Sequence, residues 1–145
     1  MDDCLFCRIV KGTVPSTPVF RDDAVYAFMD INPVHPGHTL VIPLVHAARL
    51  GDLDAATGGR LFQAAMRVAR AIRRSGLPCD GVNLHLADGT AAGQEVGHVH
   101  LHVIPRTTDD GLGFRHPPGC PRRAAPDELV RAAALITARL EQPGA

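Results

Sequence analysis

The stretch Val96-Gly97-His98-Val99-His100-Leu101-His102-Val103-Ile104 decides how this chain is read. Histidine and apolar residues alternate along it with a period of two, the spacing of a β-strand whose successive side chains point to opposite faces. Val99, Leu101 and Val103 therefore belong to a core, and His98, His100 and His102 share the other face. A solvent-facing strand has no physical reason to choose histidine three times over lysine, threonine or glutamate. Neutral imidazole is the commonest transition-metal ligand, so a three-histidine cage is one reading. Alternate strand residues stand roughly 6.5–7 Å apart at Cα, however, and bringing three onto one ion needs a bend or a bulge. A division of labour suits the strand better: the middle imidazole attacks an electrophile while its neighbours orient it, move protons or bind charge.

Upstream, Gly89-Thr90-Ala91-Ala92-Gly93-Gln94 supplies small residues where a backbone must approach a ligand, and its amides are placed to cradle a phosphate oxygen. Val82-Asn83-Leu84-His85-Leu86 alternates as well and reads as the antiparallel partner of the histidine strand, which is expected over residues 96–104. Val19-Phe20-Arg21 and Val25-Tyr26-Ala27-Phe28-Met29 form a hairpin about Asp22-Asp23, and His38-Thr39-Leu40-Val41-Ile42-Pro43 is a third strand in this group, ending at a proline. Residues 5–10 fit a short helix or turn.

Over residues 53–74 the period changes to helical, with Leu61, Phe62, Ala65, Met66, Val68, Ala69 and Ile72 on one face. Arg60, Arg67, Arg70, Arg73 and Arg74 lie mostly off that stripe and read as the solvated side, and Gly76-Leu77-Pro78 ends the helix. The segment after Pro105 is too rich in proline for regular structure until Asp127-Glu128 opens an alanine-rich amphipathic helix. The expected fold is α+β: an antiparallel sheet of about five strands, one long helix packed on it and a C-terminal helix. Residues 1–106 are expected to form the domain and residues 107–145 an extension that contains that last helix.

With 145 residues, 46% of them apolar, the chain buries one core and not two. Lys plus Arg and Asp plus Glu stand at 15 each, without a basic or acidic run, which speaks against nucleic acid or a membrane surface as partner and for a small ligand. The acidic start Met1-Asp2-Asp3 is unlike a secretory leader, and no apolar run reaches bilayer length, so a cytoplasmic location is expected. Four cysteines in a reducing compartment point to metal ligands or plain thiols. Cys4-Leu5-Phe6-Cys7 is a C-x-x-C knuckle able to give two thiolates to one tetrahedral zinc; Cys79 and Cys120 read as plain thiols. His35, His85 and His116 read as loop or surface histidines.

Taken together, His98 to Ile104, Ala92-Gly93-Gln94, Pro36-Gly37-His38 and Phe28-Met29-Asp30 resemble the histidine triad (HIT) family of nucleotide-binding proteins, in the family's order over residues 4–105. The resemblance implies a hydrolase or transferase acting at the α-phosphate of small nucleotide conjugates: phosphoramidates, aminoacyl adenylates or dinucleoside polyphosphates of AMP or GMP. It makes His100 the nucleophile that forms a nucleotidyl-histidine, with His102, Gly93 and Gln94 holding phosphate. Gln94 would also face the leaving group, and His38 would support the triad from behind. Asp30 would accept the ribose hydroxyls, and Leu5, Phe6, Ile9, Phe28 and Ile31 would line the base pocket.

The resemblance also completes a structural Zn²⁺ site, Cys4, Cys7, His46 and His98, which commits His98 to the metal and not to the substrate. One position departs from the family pattern: Ala87, followed by Asp88, stands where the phosphoramidase branch has a phosphate-holding asparagine. That departure keeps a second function open, a nucleotide-binding or interaction module with little turnover. The long helix and a sheet edge that must be covered suggest a homodimer, as the family does.

Overall fold

The computed structural model describes residues 4–113 and 118–140, so His116 lies outside the described residues. The chain divides between Asp110 and Gly111 into two compact units. Residues 107–110, expected in the extension, belong to the first. Their polar groups account for this: Asp110 takes the Arg106 guanidinium at 2.6 Å and the Thr107 amide at 3.2 Å, and the Thr108 amide reaches Asp80 at 2.8 Å.

In the first unit, helix α1 (Leu5–Val10) precedes strands β1 (Pro18–Arg21), β2 (Val25–Met29) and β3 (Thr39–Pro43). Helix α2 (Ala55–Arg74) then leads to β4 (Gly81–His85) and β5 (Leu101–Arg106). All strand pairings are antiparallel, in the spatial order β1-β2-β3-β5-β4. The β1–β2 turn is made by Asp22, whose Oδ1 accepts the amides of Ala24 and Val25 at 2.9 Å each. Asp54 caps α2, accepting the Thr57 amide at 2.8 Å.

The sheet lies between the two helices. On one face Leu61, Ala64, Ala65, Val68 and Ile72 of α2 pack against Val25, Ala27, Val41, Val99, Leu101 and Val103. On the other, Phe6 and Ile9 of α1 pack against Tyr26, Phe28, Leu40 and Ile42. The alternation read from the sequence is thus kept: Val99, Leu101 and Val103 enter the α2 core, and the histidines point to the α1 side.

Three expectations need correcting. The buried stripe of α2 repeats at three and four residues from Leu61, which leaves Phe62 53% and Met66 40% exposed on the adjoining strip. Three of the arginines are engaged: Arg60 bonds Asp22 at 2.8 Å and Asp23 at 2.6 Å, Arg67 lies over the Phe20 ring at 4.1 Å, and Arg73 donates to the Asp80 carbonyl at 3.5 Å. The histidine strand begins at Leu101, because the amides before it turn elsewhere, His98 to Val96 at 2.8 Å and Val99 to Ala47 at 2.7 Å.

Helix α3 (Pro126–Leu140) belongs to the second unit. Arg131 pairs with Asp127 at 2.8 Å along it, and Arg122 bonds Glu128 near its start. Among the described residues no helix is long and apolar enough to cross a membrane.

Candidate active site

A cleft of about 940 Å³ opens on the α1 side of the sheet. Its wall brings together Leu5, Phe6, Ile9, Phe28, Asp30, Ile31, His38, Gly93, His100 and His102 from the sequence-derived site. Gln94 is not in the wall. Its Oε1 accepts the Gly89 amide at 2.7 Å, and its Nε2 donates to Ala48 at 2.9 Å and Val96 at 3.0 Å. The side chain fastens the loop from outside the cleft wall. Gly93, in the left-handed region at φ 89°, makes the turn that puts Gln94 there. Ala87 is buried and stands outside the cleft wall.

The hydrogen bonds fix the tautomers of the histidines. His100 Nδ1 lies 2.7 Å from the His98 carbonyl oxygen, which only accepts, so Nδ1 carries the proton and Nε2 keeps its lone pair. That Nε2 has no protein partner among the described residues and opens on the cleft. His38 Nδ1 accepts the Val34 amide at 3.2 Å, so His38 Nε2 is the protonated atom and donates to His102 Nδ1 at 2.8 Å. His102 therefore presents an Nε2–H donor. Burial, with His100 and His38 close by, lowers the His102 pKa to about 4, so this imidazole is neutral near pH 7. Burial lowers His38 as well, against the pull of Asp30. Asp30 Oδ1 accepts the Asn32 amide at 2.8 Å and its Oδ2 lies 3.4 Å from His38 Nε2.

His98 turns away from the cleft. Its Nε2–H donates to the Pro43 carbonyl at 3.0 Å, leaving the Nδ1 lone pair 3.5 Å from Cys4 Sγ and 3.6 Å from Cys7 Sγ. His46 Nδ1 lies 3.3 Å from Cys7 Sγ, and all four ligand atoms fall within 4.8 Å of one another. Zinc bonds of ~2.3 Å to sulfur and ~2.0–2.1 Å to nitrogen make tetrahedral edges of roughly 3.3–3.8 Å, so the donor set fits such an ion. Burial raises the Cys7 pKa and the adjacent Cys4 adds to this; burial lowers that of His98. A neutral imidazole is thereby ready to ligate, and a cation would draw the thiol proton off. Asp30, His38 and His102 also lie within 4.8 Å of one another, but the proton that Val34 assigns to His38 Nε2 makes them a hydrogen-bonded relay and not a metal cage.

Two titratable cleft residues lay outside the sequence-derived site. His85 is exposed, as a surface histidine should be, but it also lines the cleft and pairs in register with His102 across β4 and β5, with the ring centroids 5.8 Å apart. Only the hairpin register carries that signal. Glu95 also lines the cleft, and neither periodicity nor motif marked it.

The HIT domain model matches residues 11–109 of the chain. The chain belongs to the HIT family. A HIT-like protein of Borreliella burgdorferi is 44% identical to this HIT protein over 116 residues, covering 79% of the chain and 84% of that protein. The adenosine 5′-monophosphoramidase of Saccharomyces cerevisiae is 38% identical over 103 residues, 71% of the chain and 62% of the yeast protein. The crystal structure of a Zn-bound histidine triad family protein from Mycobacterium smegmatis superposes with a TM-score of 0.75 at 40% identity, covering 94% and 98% of the two chains.

Proposed function

We propose that this HIT protein is a nucleotidyl hydrolase that cleaves small nucleotide conjugates at the α-phosphate through a covalent intermediate on His100. The observation that carries the reading is the His100 tautomer: Nδ1–H is held by the His98 carbonyl at 2.7 Å, which aims an unprotonated Nε2 into the cleft. In the first step the Nε2 lone pair bonds to the α-phosphorus as the bond to the leaving group breaks and that group takes up a proton. Water then attacks the same phosphorus, the P–N bond breaks, and the nucleoside monophosphate and free His100 are released. His102 Nε2–H donates to a non-bridging phosphate oxygen, and His38 with Asp30 holds its ring. Asp30 accepts the ribose hydroxyls, while Leu5, Phe6, Ile9, Phe28 and Ile31 take the base. The name of the yeast relative, a monophosphoramidase, supports this class of reaction.

Cys4, Cys7, His46 and His98 would hold a zinc ion, as the Zn-bound relative suggests. Bound there, the ion supplies a structural crosslink between the start of α1 and the loop before β5. The exposed Phe62 and Met66 on α2 favour a homodimer, and free cysteines among the described residues fit a reducing, cytoplasmic setting.

The test is nucleotide release from an adenosine phosphoramidate and a diadenosine polyphosphate by wild type and His100→Ala. Wild type releases AMP, and the variant binds AMP but loses turnover by about a thousandfold or more. Equal release by the two proteins would sink the proposal. Binding without release by wild type would favour a nucleotide-binding module.

A further inference from the structure

We propose that Glu95 selects a positively charged leaving group at this cleft, so that the chain acts on nucleotide conjugates of amines bearing a second cationic centre and rejects polyphosphates. The proposal rests on the reading of the site as a nucleotidyl hydrolase.

The charges in the cleft wall are one-sided. Asp30 and Glu95 are its acidic residues, and among the described residues no lysine or arginine lines it. Asp30 is compensated, with the Asn32 amide on Oδ1 at 2.8 Å and His38 3.4 Å from Oδ2. Glu95 is exposed and makes no hydrogen bond or ion pair among the described residues.

Its backbone cannot withdraw. Gln94 on one side and Val96 on the other are tied together by the Gln94 Nε2 bond to the Val96 carbonyl at 3.0 Å, and Gln94 Oε1 anchors both to Gly89 at 2.7 Å. The rest of the loop adds no cation: residues 86–100 contain Asp88 and Glu95 and neither lysine nor arginine. His102, with a pKa of about 4, brings none near pH 7.

A conjugate that rests its base on Phe6, Ile9 and Phe28 and its α-phosphate at His100 and His102 leaves its third part to the wall formed by His85, Gly93 and Glu95. Sites that hold several phosphates neutralise them with arginine, lysine or a metal ion. Here the unpaired group is a carboxylate, which repels further phosphates and attracts an ammonium. Salt screens the effect because the carboxylate is exposed.

The experiment compares three adenosine 5′-phosphoramidates of equal length, from 1,2-diaminoethane, propylamine and β-alanine, with diadenosine triphosphate. kcat/KM is measured at low ionic strength for wild type, Glu95→Gln and Glu95→Lys. Wild type is expected to prefer the cationic amide over the anionic one by about tenfold and to turn over diadenosine triphosphate more slowly still. Glu95→Gln brings the ratio close to one, and Glu95→Lys reverses it. An unchanged ratio in Glu95→Gln with turnover intact overturns the role of Glu95 and leaves the hydrolase reading standing, as does wild type cleaving diadenosine triphosphate as fast as the cationic amide. No turnover of any of the four by wild type overturns both.

Discussion

Gln94 uses its whole side chain on the loop that carries it, bonding Gly89, Ala48 and Val96. Replacing it with alanine leaves the buried Gly89 amide without an acceptor, and an orphaned buried donor costs about 1–3 kcal/mol. Gln94→Ala is therefore expected to lower the urea midpoint and to weaken AMP binding together, because Gly93, Glu95 and Val96 in the cleft wall shift with the loop. A variant that keeps its midpoint and loses only turnover would return Gln94 to the leaving group. The contrast with His85 says what a sequence carries at this scale. The strand alternation placed Val99, Leu101 and Val103 in the core and put His100 and His102 in one cleft, since side-chain direction follows from local spacing. His85 reaches the same cleft through the pairing of His85 with His102, a relation between residues 17 apart in number that no local pattern contains. The bonds of Gln94 escaped the sequence for a related reason: its partner Ala48 comes from another loop, 46 residues away.

At the scale of elements, α2 is held to the β1–β2 turn by Arg60. Burial pushes the Asp22 carboxyl up, but the Arg60 hydrogen bond and the amides of Ala24 and Val25 outweigh it and hold the pKa at about 2, below the ordinary 3.8. A carboxyl with a depressed folded-state value adds stability that is present above the unfolded value and is lost as pH falls through the folded one. The Asp22 contribution is thus complete above roughly pH 4 and gone below about pH 2. In thermal melts Asp22→Asn should fall below wild type by a few degrees at pH 6, and the gap should close as the pH approaches 2. A gap that stays constant with pH would mean that Asp22 acts through the turn alone and not through its charge. Nothing in the helical stripe announced this contact. The period fixed α2 as a helix, but Phe62 and Met66 differ from Leu61 and Ala65 by one strip of surface. Apolar character alone does not say which strip meets the sheet. The arginines likewise read as solvated because their partners, Asp22 and Phe20, lie on another element.

For the whole domain the decisive connection runs from the N-terminus to the cleft face of the sheet. Helix α1 has six residues, too few to stay helical in water by itself, yet it supplies Leu5, Phe6 and Ile9 to the cleft. Phe6 and Ile9 hold it to the sheet by packing, and Cys4 and Cys7 hold it to His46 and His98 through the candidate metal site. His98 is also the residue whose carbonyl orients His100, so a loosened His98 reaches both the α1 wall of the cleft and His100. Removing the metal with a chelator is accordingly expected to lower the melting temperature by several degrees, to weaken AMP binding and to reduce turnover about 10- to 100-fold, the range typical of lost metal-site support. Cys7→Ser should reproduce these losses in the presence of zinc, and the chelator should then change nothing further. The measurements are metal content per chain by elemental analysis, the melting curve and AMP affinity, each with and without chelator. A metal-free protein with the same melting curve and the same AMP affinity would show that packing by Phe6 and Ile9 suffices, and that the four ligand residues do not hold the site together.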